Sequence, residues 1–400
     1  MKVLIYKDKN SLEPIGGPTG YLYNLYNELN KNENTEIEFL DSPKNKIRML
    51  IKKIYKKLPS KFRKKYKNKK NIREIYSILN NVISDNKNKV SKIDLNKYDV
   101  VHFHDTYTMY MVKDSLENYK GKVIITSHSP KVYFREILDK VPNDIYMQRK
   151  EDFDKLEKID IYAFNRADYI FFPCEEAEEP YFNTWEKYKD IKQKNLNKYI
   201  YIPTGIIPKS IVENQESVRK KYNIPQDAMI ISYVGRHIEV KGYKKLKEIG
   251  ERILEKNENI YFLIAGVEAP IKGLEHERWI EVGWNKRPMD LVNASDVFIL
   301  PNKETYFDLI LLEVMSIGKS VILTNTGGNK YFRKFENAGL YYYEYSDIDE
   351  VEKILNNVSV EKLKSDGENN KNIVLNNFTV GIFLKKYIGV LNNLISEKED

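Results

Sequence analysis

Cysteine is almost missing from this chain of 400 residues: Cys174 stands alone, so neither an intramolecular disulfide nor a cysteine-rich metal site can form. Histidine is scarce, and five scattered residues argue against a zinc site. Long apolar runs are missing too. None approaches the roughly 18 to 20 residues that span a bilayer, so no transmembrane helix is expected. The first residues, Met1-Lys2-Val3-Leu4-Ile5-Tyr6-Lys7, meet charge at once and lack the apolar stretch of a secretory signal, so a cytoplasmic location is expected. A further absence is local: between Lys44 and Arg73 there is no Asp or Glu beside 15 Lys or Arg. With a net charge of +8, the rest of the chain then sums to −7, and one segment makes the protein basic.

The length exceeds one compact core and points to about two domains, and a hydrophobic fraction of 42% is enough to build them. Strand signals recur at Val3–Tyr6, Glu36–Leu40, Asp99–Phe103, Val123–Thr126, Tyr169–Phe172 and Tyr199–Ile202. A second set follows at Met229–Val234, Ile260–Ala265, Trp279–Val282, Val297–Leu300, Val321–Thr324 and Leu340–Tyr343. Helical stripes intervene, for example Leu22, Leu25 and Leu29, or Leu246, Ile249 and Ile253. Alternation of this kind predicts α/β layering on parallel sheets. Two similar halves joined near Pro203-Thr204-Gly205 predict two Rossmann-like domains facing each other across a cleft. The expected boundaries are 1–202, 203–378 and a last helix over 379–400, marked by Phe383, Tyr387, Leu391 and Leu394.

Chemistry concentrates where strands run into helices, the edge at which open α/β sheets bind ligands. After the first strand, Ile15-Gly16-Gly17-Pro18-Thr19-Gly20 lets backbone approach an anionic group before a helix expected near Leu22. Val234-Gly235-Arg236 and Lys241-Gly242 bring a forked guanidinium and a point-charge ammonium to one strand end, a pair suited to a diphosphate. Pro301 to Glu313 follows a buried strand and carries Glu304, Asp308 and Glu313. Thr326-Gly327-Gly328-Asn329 offers a third amide cradle. In the first half His102 and His104 end one strand and His128 the next. His128 suits a sugar hydroxyl or a phosphate oxygen, His102 and His104 suit structural polar contacts, and no third metal ligand is evident beside them. The basic segment 44–73 holds the stripe Ile47, Leu50, Ile51, Ile54 and Leu58 before Pro59, then Phe62 and Tyr66 in a looser stretch. That profile fits an anionic membrane surface. A solvated basic insertion fits nearly as well, and no nucleic-acid recognition motif accompanies it.

Taken in order, Gly16-Gly17, Asp99-Val100-Val101-His102, Ser127-His128, Val234-Gly235-Arg236, Lys241-Gly242 and Leu312-Glu313 resemble the glycosyltransferases of family 4, the large retaining group with the GT-B fold. Ala167-Asp168-Tyr169-Ile170, Ile202-Pro203-Thr204-Gly205 and Ala294-Ser295-Asp296-Val297 add to the resemblance. It implies a nucleotide-diphosphate sugar donor, a UDP-sugar foremost, and a glycan or lipid-linked acceptor of a bacterial surface polymer. It implies no metal or other cofactor, while the basic segment 44–73 is what suggests a peripheral position on the inner face of the cytoplasmic membrane.

Residue by residue, the resemblance assigns Arg236 and Lys241, with Gly235 beside them, to the departing diphosphate and His128 to the transferred sugar. Glu313 falls to the ribose, Gly283 and Trp284 to the nucleobase through their backbone, and Gly16 and Gly17 to the donor phosphate or acceptor. The last helix is implied to cross back to the first domain. The segment Glu304, Thr305, Phe307, Asp308 and Leu309 departs from the family pattern: Thr305 stands where a sugar-facing glutamate belongs and Asp308 where a glycine belongs. Either Glu304 turns in, or Thr305 and Asp308 line a pocket for a different sugar. The same departure motivates an alternative, a catalytically silent GT-B subunit that binds a partner transferase or its acceptor.

Overall fold

The computed structural model describes residues 1–14, 17–31, 36–41, 60–84 and 93–396, with backbone only for residues 18 and 60–69. Gly16 and the stripe Ile47 to Leu58 lie outside the described residues.

Among the described residues, twelve strands form two six-stranded parallel sheets. The first holds β1 (Val3–Asp8), β2 (Ile37–Leu40), β3 (Val100–Phe103), β4 (Lys122–Thr126), β5 (Tyr169–Phe172) and β6 (Tyr199–Tyr201), in the order β2-β1-β3-β4-β5-β6. The second holds β7 (Met229–Val234), β8 (Ile260–Ala265), β9 (Trp279–Gly283), β10 (Val297–Leu300), β11 (Ser320–Thr324) and β12 (Leu340–Tyr343), in the order β12-β11-β10-β7-β8-β9. Every strand read from the sequence is present. Their near-continuous apolar runs are those of strands covered on both faces: β10 and β11 are buried throughout.

Strand order reverses between β1 and β3 in one sheet and between β7 and β10 in the other. Such switch points splay the loops apart and open a crevice at the carboxyl ends of the strands. The fold class is therefore the one expected, two Rossmann-like units. One unit comprises residues 1–172, 181–200 and 390–400, the other 173–180 and 201–389. Beside the expected bounds of 1–202, 203–378 and 379–400, residues 173–180 group with the second unit, and the last helix is divided, 380–389 with the second unit and its end with the first.

The helices among the described residues include α1 (Gly17–Leu29), α2 (Ser60–Ile83), α3 (Tyr243–Lys256), α4 (Leu309–Ser316) and α5 (Val380–Ser396). Helix α1 starts at Gly17 and not near Leu22, so Gly17 opens the helix and does not precede it. Leu22, Leu25 and Leu29 are buried as their spacing requires. Residues after Pro59, read from the sequence as a looser stretch, form α2 instead. No glycine or proline interrupts them, and Ile75, Leu79 and Val82 supply a buried stripe that anchors the second half. In the second unit Tyr243, Leu246, Ile249 and Ile253 of α3 pack on β7, β8 and β10, while Val218, Ile224 and Leu291 cover the opposite face.

Candidate functional site

The second unit brings three loops to the carboxyl edge of its sheet, after β7, β10 and β11, and ties them together through hydrogen bonds to backbone carbonyls. Lys303 N donates to Val240 O at 3.1 Å, Thr324 Oγ1 to Asn302 O at 2.7 Å, and Gly328 N to Thr305 O at 3.4 Å. The approach is close enough to demand glycine. A Cβ on Gly242, whose φ is +68°, would stand 1.6 Å from Pro301 O. One on Gly327, φ +43°, would stand 2.0 Å from Thr305 O. This lock places Arg236, Lys241, Glu304, Asp308 and Glu313 around the β7/β10 switch point.

Arg236 is exposed, and its guanidinium makes no hydrogen bond or ion pair among the described residues. Its carbonyl accepts from Tyr233 Oη at 3.0 Å, which fixes the loop beside Gly235. Buried His237 next to it stacks on Tyr243 at 3.7 Å between ring centres, and burial lowers its pKa to about 4, so it carries no charge near neutrality. The ammonium of Lys241 is not idle. It meets Asp308 Oδ2 at 2.5 Å, and Asn302 Nδ2 donates to the same oxygen at 2.7 Å. Burial alone would raise the Asp308 carboxyl, but Lys241 and Asn302 more than offset it and hold it below the ordinary carboxylate range.

Glu313 lies in the second turn of α4, and its Oε1 pairs with Lys209 Nζ at 2.9 Å. Thr305 is 3% exposed under the Gly327 backbone. Glu304 Oε2, by contrast, is buried without a hydrogen-bond partner among the described residues. Such an oxygen costs stability until a hydroxyl or water reaches it. Phe307 offers shape and no polar group, its ring 5.5 Å from that of Phe332. Leu309 opens α4, Gly283 ends β9 with φ +75° and open space beside it, and Trp284 is 61% exposed.

The third cradle is not open. Gly327 N donates to Glu179 Oε1 at 3.1 Å, Thr326 Oγ1 reaches the same oxygen at 3.3 Å, and Lys330 pairs with Oε2. A carboxylate of the chain thus already fills the amide cradle expected there. A depression of about 680 Å³ lies at the opposite, amino-terminal edge of this sheet, beside Met229, Ile260 and Asp296. Ligands of open α/β folds bind at the carboxyl edge, so it is not the candidate site.

In the first unit the ends of β3 and β4 meet α1. His104 Nδ1 and His128 Nε2 are 2.8 Å apart, their rings stacked at 5.1 Å, and His102 Nε2 is 2.8 Å from Thr126 Oγ1. The ring of Tyr21 lies 4.9 Å from that of His128. Gly17, exposed and one turn before Tyr21, shares its helix face. A third imidazole, that of His128, therefore stands beside His102 and His104. Yet among the described residues no group of three or more His, Cys, Asp or Glu is placed to hold a metal ion. The nitrogens of His104 and His128 face one another at hydrogen-bond distance.

Sequence reasoning missed Asn302, Lys209, Glu179, Tyr21 and the His104–His128 pair. Only their residue types were visible, because these contacts are made by the folding of loops and, Asn302 apart, join residues remote along the chain.

Two cations and three carboxylates thus gather at the β7/β10 edge of a protein built from two Rossmann-like α/β units. Residues 214–373 match the model of the family described as glycosyl transferases group 1. The UDP-Gal:alpha-D-GlcNAc-diphosphoundecaprenol alpha-1,3-galactosyltransferase of Escherichia coli is 26% identical over 198 residues, 46% of this chain and 51% of that relative. The capsular polysaccharide biosynthesis glycosyltransferase CapM of Staphylococcus aureus is 22% identical over 201 residues, 47% and 52% of the respective chains. The chain thus spans about half the length of these curated relatives. Among solved structures, Anabaena HepE in complex with UDP-glucose superposes with a TM-score of 0.64 over 98% of this chain and 100% of that one, at 12% identity, a likeness of fold. No helix among the described residues is long and apolar enough to cross a membrane.

Proposed function

We propose that the chain is a retaining glycosyltransferase that moves a sugar from a UDP-sugar to a glycan or lipid-linked acceptor in bacterial surface-polysaccharide or glycoconjugate synthesis. The observation that carries this reading is the meeting of Arg236, Lys241 and Glu313 on one sheet edge, inside the stretch that matches the transferase family. The E. coli relative is named for a UDP-Gal donor and a diphosphoundecaprenol-linked acceptor, and HepE holds UDP-glucose, which supports the donor and acceptor classes.

In this reaction the bond from the anomeric carbon to the diphosphate breaks while the acceptor oxygen bonds to that carbon on the same face, through an oxocarbenium-like state. The acceptor proton leaves with the departing diphosphate. Negative charge grows on that diphosphate, and Arg236 and Lys241 meet it where a metal serves other transferases. Glu313 takes the ribose hydroxyls, with Lys209 holding its carboxylate in place. The unpartnered oxygen of Glu304 supports its reading as the sugar-facing carboxylate in the stead of Thr305. Gly283 frames the nucleobase, and Trp284 offers an exposed face for stacking. For the first unit the resemblance gives the acceptor side, with His128 beside the transferred sugar.

The test is a panel of UDP-, GDP- and ADP-sugars titrated calorimetrically into the full chain, with products read by mass spectrometry. Heat and slow nucleotide release with a UDP-sugar are expected. Arg236→Ala should lower kcat/KM by about 100-fold, the usual loss of one charge-stabilising donor. Absence of nucleotide binding by the full chain would overturn the reading. One observation favours a silent subunit, the Lys241–Asp308 pair that ties up half of the clamp. Binding without transfer or hydrolysis would establish that alternative.

A further inference from the structure

The sequence carries an acid at position 308 where the resemblance leads one to expect glycine, and the structure shows what that acid does. Asp308 closes on the ammonium of Lys241 at 2.5 Å. The pair is well built: Asp308 is 11% exposed and Lys241 26%, and the fully buried Asn302 donates to the same carboxylate oxygen. Arg236, the other cation at the switch point, stays exposed and unpaired among the described residues. The site therefore rests with one cation open to an anion and the other neutralised from within.

We infer that Asp308 sets the affinity of this site: its carboxylate competes with the diphosphate of the donor for the ammonium of Lys241. The inference rests on the reading of this edge as a nucleotide-sugar site. An arriving diphosphate must either displace the carboxylate from Lys241 or bind with a negative charge held against it. Both lower affinity, because like charges a few ångströms apart in a partly buried site repel by an amount worth at least about tenfold in binding. The carboxyl is held below the ordinary range, so it stays ionised through the physiological window and the lock does not open with modest acidification. Only an anion with a stronger hold on Lys241 opens it. A substrate bearing one phosphate is then at a larger disadvantage than one bearing two, and the lock selects for diphosphates.

Asp308→Asn, which keeps the shape and the Asn302 contact region but removes the charge, and Asp308→Gly, which removes the side chain, provide the test. Uridine, inorganic pyrophosphate and UDP are titrated into the full chain and both variants by calorimetry, with thermal unfolding as the folding control. UDP and pyrophosphate are expected to bind at least about tenfold more tightly to either folded variant, and uridine to be unaffected, since it has no group to meet Lys241. Adding Lys241→Met to Asp308→Asn should abolish the gain. Equal or weaker binding of UDP and pyrophosphate by the variants overturns the inference while leaving the nucleotide site intact. A gain for uridine as large as that for UDP overturns it too, because it would point to reshaping and not to charge. No binding of UDP to the parent or either variant instead overturns the reading of the site itself. Should both variants fail to fold, raised salt supplies the answer on the parent chain. Competition by the carboxylate makes pyrophosphate affinity fall less steeply with ionic strength than two free cations would, and a slope of two full charges overturns the inference.

Discussion

The three imidazoles at the ends of β3 and β4 are all held neutral by burial. Burial first, then the neighbouring imidazole or Lys7, lowers His102 and His128 to about 3, and His104 falls well below its ordinary value for the same reasons. Unfolded histidine titrates near 6.5, so below that pH the unfolded chain gains protons that the folded one refuses. Folding stability is therefore full above about pH 6.5 and is lost as pH falls from there towards 3, by about 1.4 kcal/mol per pH unit for each such group. Asp160, raised to about 6 chiefly by burial, opposes this between its unfolded value of 3.8 and 6, one group against three. Thermal unfolding followed from pH 7.5 to 5 should show the midpoint drop, and His104→Gln should flatten that drop. A midpoint indifferent to pH over this range would refute the account. The residue types were legible from the sequence, as was the likeness of His128 to a sugar-binding histidine. Their mutual contact was not, because β3 and β4 come together only through sheet pairing.

Among the elements, the turns decide more than the helices. Gly242 looks in the sequence like one more glycine beside a lysine. In the fold its left-handed φ and the carbonyl of Pro301 permit no Cβ, and this carries Lys241 onto Asp308. Gly242→Ala should therefore shift the β7 loop, lower stability by about 2–4 kcal/mol and weaken nucleotide binding with it. Chemical denaturation compared with the parent chain measures this, and an unchanged midpoint and affinity would dismiss the close approach. Helix α2 teaches the converse. Its basic first half conceals it from a reading by amphipathic stripes, and it is held through Ile75, Leu79 and Val82 further along. Propensity without a stripe forms a helix here because the same element later finds a core to pack on.

Over the whole molecule, charge is split between a segment of 15 cations and a remainder of −7. Much of that segment lies outside the described residues, so its proposed contact with an anionic membrane surface rests on composition and on the stripe Ile47 to Leu58. Changing Lys52, Lys53, Lys56 and Lys57 to Gln should weaken binding to anionic vesicles by about 1 kcal/mol per residue at low salt. Co-sedimentation with vesicles containing phosphatidylserine reads the effect, and undiminished sedimentation would refute the membrane contact.

By itself the sequence determined the strands, the two-unit α/β class and the likeness to glycosyltransferases. Each of these depends on local periodicity or on short motifs that the chain carries in one piece. Tertiary structure alone decided which loops became neighbours. Order β12-β11-β10-β7-β8-β9 sets β10 beside β7 and so joins Lys241 to Asp308 across 67 positions of chain. The same packing buried Thr305, left an oxygen of Glu304 without a partner and filled the third glycine cradle with Glu179. Strand order is fixed by the burial of whole faces and by the hand of the crossovers, quantities that no short window of sequence contains.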